Sequence, residues 1–126
     1  MILDAIALVS RDIKSSKEFY SFFDLEFKDL GRGEHLEAFL STGQRLIIDS
    51  ESLIKKINPN WKRSQNKSIS LCFKKDNPEA VNEICQKLKE KGYNLIKEPW
   101  DAFWSQRYSS VLDPDGNQID IFSNLS

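Results

Sequence analysis

The sequence is poor in the residues that most often mark chemistry or secretion. It contains two cysteines, one histidine and five glycines among 126 residues. Cys72 and Cys85 lack the spacing of a metal site, and both fall within apolar patterns. This predicts buried, unreactive thiols in a reduced, cytoplasmic protein. A catalytic cysteine would need a histidine as its base, and the chain has a single histidine, which argues against cysteine catalysis. The glycines mark turns, which argues against a glycine-rich phosphate loop.

Neither an excess of one charge nor a long apolar run is present. The formal net charge is -1 and the charged residues are interspersed, which argues against a nucleic-acid-binding surface. No apolar run approaches the ~20 residues of a membrane span, and the alternating residues 1–11 predict a strand rather than a signal peptide. A basic stretch around Trp61 is interpreted as a solvated connector, with an anion-facing lip over a pocket as the alternative. This stretch consists of Lys55, Lys56, Lys62, Arg63 and Lys67.

The most informative feature that is present is an internal repeat. A helix is predicted after Asn77, which caps it, because apolar residues recur at helical spacing and Gly92 follows its lysine-rich end. A second helix of the same pattern, over residues 13–23, begins 65 residues earlier, after Asp12. The aligned apolar positions are Val81, Ile84, Cys85 and Leu88 in the later helix, and Phe19, Tyr20 and Phe23 in the earlier one.

Strands flank both predicted helices in the same order. In the first half they cover residues 3–9, 26–30, 35–40 and 44–49, and in the second half 68–73, 95–98, 107–112 and 118–122. The chain is therefore predicted to be one α+β domain, residues 1–126, of two βαβββ modules. Module 1 covers about 1–50, a polar connector about 51–67 and module 2 about 68–126. We expect the modules to form a curved mixed sheet around a cleft, with the helices on its outer face.

The repeat, together with two local motifs, resembles the glyoxalase/bleomycin-resistance/extradiol-dioxygenase (vicinal oxygen chelate) superfamily. One motif is the turn at 113–117, Asp-Pro-Asp-Gly-Asn, followed by Gln118 to Phe122. The other, at 98–108, looks like the Pro-Trp-x-x-x-Trp-Gly-x-Arg-Tyr version found in many bacterial members. The resemblance covers the whole chain and implies a small-molecule-binding cleft. It also implies a homodimer, since sequestering relatives commonly build their clefts between subunits.

Enzymes of the superfamily bind a divalent metal through residues of the first and last strands of each half. Carried onto this chain, those positions are Ala5, Ile47, Ser70 and Asp120. One carboxylate is too few, because a catalytic site normally needs three protein ligands. We expect the neighbouring Asp49 to face away from Ile47, and Asp4 likewise to face away from Ala5. The resemblance is therefore to a metal-free, bleomycin-resistance-like branch, with no cofactor.

His35 is the one residue that could revise the metal prediction. It stands where a loop meets a strand, and we interpret it as an exposed loop histidine. The alternative is a base or a metal ligand acting with Glu37 on the same strand face. Whether a metal binds through His35 or Glu37 stays open at the level of the sequence.

Residues 99–108 concentrate aromatic side chains between two predicted strands. Pro99 disfavours ladder pairing, so we expect a loop or a single helical turn that places Trp100 and Trp104 on one side. It is either a lid on the core or a wall for a planar or cationic ligand. Asp120 alternates with buried isoleucines and should face the cleft, binding a cation or pairing with Arg107. The candidate ligand-binding residues are Trp100, Phe103, Trp104, Arg107, Tyr108 and Asp120, with Phe39 and Trp61 as weaker candidates.

Three functions follow from these residues. The favoured hypothesis is a protein that binds a small aromatic molecule without catalysis, as antibiotic-sequestering proteins do. The alternative is a metal-dependent lyase, isomerase or dioxygenase with an atypical site, in which case a glyoxalase-like lyase is expected. The third is an interaction module with no small-molecule site. The count of metal ligands favours the first hypothesis, and the sequence names neither the ligand nor a role in antibiotic resistance.

Overall fold

Two similar halves make up the chain. The computed structural model describes residues 1–64 and 68–126, and the chain forms two compact units, Met1–Ser64 and Gln65–Ser126. The first unit contains β1 (Ala5–Ser10), α1 (Ile13–Ser21), β2 (Lys28–Asp29), β3 (His35–Phe39), β4 (Arg45–Ser50) and α2 (Glu51–Ile57). The second contains β5 (Ser70–Lys74), α3 (Pro78–Glu90), β6 (Leu95–Ala102), β7 (Gln106–Leu112) and β8 (Gln118–Asn124).

Each unit has one four-stranded mixed sheet with the same strand order. The orders are β1-β4-β3-β2 and β5-β8-β7-β6. In each sheet the first strand pairs in parallel with the last, and the other pairs are antiparallel. This confirms the α+β class and the duplication of βαβββ.

Helix caps and apolar spacing place the long helices where the sequence predicts them. Asp12 accepts hydrogen bonds from the backbone of residues 14 and 15 at the start of α1, and Asn77 accepts one from Ala80 at the start of α3. These side chains satisfy amide groups that have no partner within the helix. The predicted apolar faces are buried: Phe19, Tyr20 and Phe23 in the first unit, and Val81, Ile84, Cys85 and Leu88 in the second.

Two predicted segments differ in the structure. The polar connector contains the short helix α2, which begins after the capping Ser50 and buries none of its residues. The predicted loop after Pro99 is wrong, because β6 continues to Ala102. The register shifts between Lys97 and Trp100, so Pro99 lies at a bulge, where a missing backbone donor is tolerated. Residues 103–105 then form the turn, with Ser105 in the left-handed conformation at φ 63°.

No helix among the described residues is long and apolar enough to cross a membrane.

Candidate functional site

The second sheet has one face toward α3 and one face that no helix of the described part of its unit covers. We call the latter the free face of the β5–β8 sheet. Residues paired across neighbouring strands point to the same side, so the register defines its rows. One row runs Lys97, Ser110, Asp120 and Cys72, and the next contains Trp100, Tyr108, Phe122 and Lys74.

Asp120 is the buried charge of this face. Its exposed fraction is 6%, and its neighbours Ile119 and Ile121 are fully buried on the opposite side of the strand. The alternation of a strand therefore turns the carboxylate away from the α3 side, as the sequence predicts.

The carboxylate of Asp120 is surrounded by neutral hydrogen-bond donors. Oδ1 accepts from Ser110 Oγ at 2.7 Å and from Gln118 Nε2 at 3.0 Å. Oδ2 accepts from the Tyr108 hydroxyl at 2.8 Å, and Ser70 Oγ and Cys72 Sγ lie at 3.5 and 3.8 Å. Among the residues that the structure describes, no cationic side chain forms an ion pair with Asp120. Within residues 1–64 and 68–126, the Asp120 carboxylate is thus held by hydrogen bonds and not by an ion pair.

Tyr108 joins the carboxylate to the aromatic residues. Partial burial, followed by the hydrogen bond to Asp120, raises the pKa of its hydroxyl well above the ordinary value of 10.0. The hydroxyl is therefore a firm donor at neutral pH and a poor base. Its ring stacks on Phe122, with centroids 5.7 Å apart and planes inclined by 21°.

The two tryptophans meet on the same side, as predicted, although a hairpin rather than a helical turn brings them together. The ring centroids of Trp100 and Trp104 are 5.7 Å apart at an interplanar angle of 89°, and Trp104 meets Tyr108 at 5.4 Å and 77°. Phe103 lies at the tip, 91% exposed, with its edge-to-face contact to Trp104. The Trp104 indole donates to Gln106 Oε1 at 2.9 Å. We call Trp100, Trp104 and Tyr108 the aromatic corner.

Arg107 is not part of this face. It follows the opposite alternation from Tyr108, and its guanidinium binds Asp101 Oδ1 at 2.5 Å and Asn82 Oδ1 of α3 at 3.0 Å. The bond to Asp101 raises the pKa of Arg107. The alternative of an ion pair with Asp120 is wrong, because strand alternation sends the Arg107 side chain to the helix side. The role of Arg107 as a ligand-binding residue stays a prediction, outside the free face.

The two cysteines have different environments. Cys85 is buried in α3 and donates to Ser109 Oγ at 3.1 Å, and burial raises the pKa of its thiol. Cys72 is exposed on the free face, so its prediction as a buried thiol is wrong. Its position is explained by alternation, which places its neighbours Leu71 and Phe73 on the core side of β5.

The weaker candidates belong to the first unit. Phe39, the last residue of β3, is exposed. Trp61 lies under the guanidinium of Arg63, 5.5 Å from its ring centroid. Arg63 also donates to Val9 O and to Glu51 Oε2, so part of the predicted basic lip is tied to its own unit. Lys67, also assigned to that lip, lies outside the described residues.

The projected metal positions do not fit a divalent ion. Ala5 and Ile47 have no donor atom, and Ser70 is a neutral hydroxyl. Both oxygens of Asp120 already accept hydrogen bonds. Residues 1–64 and 68–126 contain no group of three or more histidine, cysteine, aspartate or glutamate side chains that could hold a metal ion.

The prediction for Asp49 is wrong. Asp49 stands two residues from Ile47 in β4, which puts both side chains on the same face, and it pairs across the ladder with His35. His35 Nδ1 contacts Asp49 Oδ1 at 2.5 Å, and Nε2 contacts Glu37 Oε2 at 2.6 Å. His35 is therefore not an exposed loop residue: it is the first residue of β3, with a quarter of its side chain exposed.

The His35 contacts continue into a chain of alternating charges. Glu37 Oε1 accepts from Arg45 at 2.8 Å, and Arg45 reaches Asp4 at 2.7 Å. Ionised carboxylates only accept hydrogen bonds, so both ring nitrogens of His35 must donate, which requires the imidazolium form. The hydrogen bonds first to Glu37 and then to Asp49 raise the pKa of His35 above 6.5. The bond from His35 in turn lowers the pKa of Glu37.

This arrangement predicts a pH-dependent stability. A pKa raised by folding stabilises the native state fully below the unfolded pKa of about 6.5, and this contribution disappears as the pH rises through the folded pKa. Because His35 is the only histidine, its ring proton resonances report the folded pKa without overlap. Glu37→Gln should lower that pKa toward 6.5. A wild-type titration at or below 6.5 would contradict the geometry.

Sequence reasoning missed Lys97, Ser110 and Phe122 on the free face. Two of them carry a signal that the sequence contains. Ser110 lies two residues from Tyr108, and Phe122 two residues from Asp120, so strict alternation from the residues already identified would have found both. Lys97 has no such signal, because the register shifts on either side of it.

A family model and similar solved structures each cover nearly the whole chain. The model of the Glyoxalase/Bleomycin resistance protein/Dioxygenase superfamily matches residues 2–121. A comparison with curated proteins gave no match.

Solved structures similar to this chain include a glyoxalase/bleomycin resistance protein/dioxygenase family enzyme from Burkholderia phytofirmans PsJN, with a TM-score of 0.87, 19% identity and coverage of 99% of this chain and 100% of that one. A glyoxalase-related enzyme from Fulvimarina pelagi has a TM-score of 0.82 and 19% identity, with coverage of 98% of this chain and 88% of that one. A lactoylglutathione lyase from Agrobacterium tumefaciens has a TM-score of 0.71 and 17% identity, with coverage of 97% of this chain and 92% of that one. At these identities the likeness shows the fold alone. With the match of the family model, the repeated βαβββ units establish that this chain belongs to the glyoxalase/bleomycin resistance protein/dioxygenase superfamily.

Proposed function

We propose that this protein binds a small, cationic aromatic molecule on the free face of the β5–β8 sheet, without a metal and without catalysing a reaction. The observation that carries the proposal is the Asp120 carboxylate, which is buried, hydrogen-bonded only to neutral groups among the described residues, and adjacent to the aromatic corner. A buried charge without a counter-ion is stabilised by a ligand of opposite charge.

The aromatic corner supplies the second half of the proposed recognition. The faces of tryptophan and tyrosine attract cations and stack on flat rings. Trp100 and Trp104 are both partly exposed, at 37% and 44%, and therefore present surface that a ligand would cover. A planar cation satisfies both features at once.

The alternative, a metal-dependent lyase, isomerase or dioxygenase, depends on metal ligands that the projected positions lack. The similar structure from Agrobacterium tumefaciens is named as a lactoylglutathione lyase, and a lyase reaction is therefore kept as the alternative. Ala5 and Ile47 would each have to be replaced by other donors. The Asp49–His35–Glu37 cluster does not supply them, because both imidazole nitrogens already face carboxylates.

A matched pair of probes tests the binding proposal. (Anthracen-9-ylmethyl)ammonium and anthracene-9-carboxylate share one ring system and differ in charge. We expect the cation to quench tryptophan emission in a saturable way and the anion to bind at least about tenfold more weakly. Trp61→Phe, which removes the tryptophan of the other unit, should keep this quenching. Equal affinity of the two probes, or saturable binding of the anion alone, would overturn the proposal.

Trp104→Ala separates binding from packing. We expect the affinity for the cationic probe to fall by about 1–3 kcal/mol, the scale of a lost stacking surface. Because Trp104 is 44% exposed, the free energy of unfolding should fall by less than the roughly 3–5 kcal/mol of a core tryptophan. A large loss of stability with unchanged affinity would assign Trp104 to structure alone.

The proposal includes a metal-free homodimer in the cytoplasm. It is supported by the residue types at the projected ligand positions, by the free thiols of Cys72 and Cys85, and by the assembly that the resemblance implies. Native mass spectrometry measures both composition and assembly. We expect twice the 14.6 kDa chain mass with no added metal. One retained zinc, nickel or iron per chain would favour the enzyme alternative, and a persistent single-chain mass would contradict the dimer.

A further inference from the structure

Lys97 lies in the row of Asp120 and Lys74 in the next row, beside Phe122. The placement of Lys97 indicates where a ligand's cation goes. Lys97 pairs with Ser110, which pairs with Asp120, so the three residues share one row of the sheet. The lysine nevertheless does not form an ion pair with the carboxylate. Its Nζ lies over the ring of Trp100 in the next row, 4.8 Å from the centroid.

The hydrogen bonds around Asp120 also limit the approach of a further donor. The two carboxylate oxygens accept firm bonds from Ser110, Gln118 and Tyr108, with further contacts from Ser70 and Cys72. A carboxylate offers roughly four acceptor positions, and this one is 94% buried. A new direct donor would have to displace one of these partners. A cation that binds at the ring faces of the aromatic corner displaces none of these hydrogen bonds.

We infer that the ligand of this site bears an alkylated, weakly hydrated cation, such as a quaternary ammonium, held by the ring faces while Asp120 contributes its charge from a distance. This inference rests on the proposed function and narrows its ligand class. A primary ammonium loses strong hydration on leaving water and recovers it only through direct hydrogen bonds to an acceptor. A quaternary ammonium has no donor to satisfy and suits an aromatic enclosure.

The bulges of β6 give Lys97 a defined role in this site. The register shifts both before and after Lys97, and such bulges re-aim a side chain without ending the strand. The ammonium of Lys97 therefore occupies the ring face that the ligand's cation would use. Lys97 therefore competes with the ligand's cation for this ring face and lowers the affinity for the ligand.

Two probes with the same ring and the same charge test the inference: (anthracen-9-ylmethyl)trimethylammonium and (anthracen-9-ylmethyl)ammonium. We expect the trimethylated cation to bind at least about fivefold more tightly, by fluorescence titration or calorimetry. Lys97→Met should raise its affinity by about two- to fivefold, whereas Lys91→Met, at the end of α3, should not change it. Trp100→Phe, which keeps an aromatic ring, should lower it by less than Trp100→Ala.

The outcomes distinguish this inference from the proposed function beneath it. Tighter binding of the primary ammonium would mean a direct bond to Asp120 and would overturn the inference, while leaving a cation-binding site in place. An unchanged affinity in both Trp100→Ala and Lys97→Met would overturn it as well. If neither cation bound more tightly than anthracene-9-carboxylate, the proposed function would fail and the inference with it.

Discussion

Replacing Asp120 with asparagine is expected to weaken binding of a cationic aromatic ligand by about 10- to 100-fold. Two unit charges about 6 Å apart interact by about 3 kcal/mol at an effective dielectric constant near 20, which sets the upper end of that range. Asparagine keeps the shape of the side chain and an oxygen that can accept from Ser110. The fold should therefore survive, and a binding titration reads the charge alone.

The matched control is Asp101→Asn. Asp101 lies on β6 and pairs with Arg107, on the helix side of the same sheet, so this variant makes the same change in net charge without touching the free face. We expect its affinity to stay within about twofold of the wild type. A neutral ring, anthracen-9-ylmethanol, should bind wild type and Asp120→Asn equally. Equal losses of affinity in Asp101→Asn and Asp120→Asn would show that the effect comes from net charge and that Asp120 is not part of the site.

The second large effect concerns stability. We expect Asp113→Ala to lower the free energy of unfolding by about 2–4 kcal/mol, because it leaves donors of the β7–β8 turn without their acceptor. Asp113 is buried, and its Oδ1 accepts from the backbone of Asp115 and Asn117 at 2.9 and 2.8 Å. Its Oδ2 accepts from Asn117 Nδ2 at 2.9 Å.

Urea denaturation of Asp113→Ala beside Asp115→Ala checks this expectation. Asp115 contributes its backbone N–H to the Asp113 carboxylate, and this donor survives the substitution, so we expect a loss of about 1 kcal/mol or less for the control. Similar losses in the two variants would show that the turn does not depend on the buried carboxylate.

Duplication and alternation made much of this structure predictable. The two capped helices lie 65 positions apart and repeat the same apolar spacing, which predicts that each buries the same face. The strands around them repeat as well, so the order of elements was predictable for both units. Alternation along β8 placed Asp120 opposite Ile119 and Ile121. The same rule, applied to β7, would have removed Arg107 from the site, but the aromatic segment was expected to be a loop, in which alternation has no meaning.

Other features depend on contacts that are distant in sequence. Asp49 lies 14 residues from His35, and only the register of β3 on β4 brings them together. Helix α2 spans only seven residues and buries none of them, so its apolar residues form too short a pattern to predict a helix. It is held by the Ser50 cap and the Glu51–Arg63 ion pair. Lys97 is directed by the bulges of β6, whose positions are a property of pairing rather than of composition.

The strand order of the second unit also has a consequence for the order of folding. Tyr108 and Ser110 reach Asp120 from 12 and 10 residues away, across one hairpin, whereas Ser70 reaches it from 50 residues away. Closing a short loop costs less conformational entropy than closing a long one, so we expect the β7–β8 hairpin to form first and β5 to dock last. The carboxylate then keeps part of its hydration until the final step. In this order of folding, the docking of β5, and not the hairpin, adds the last contacts to the Asp120 carboxylate, those of Ser70 and Cys72.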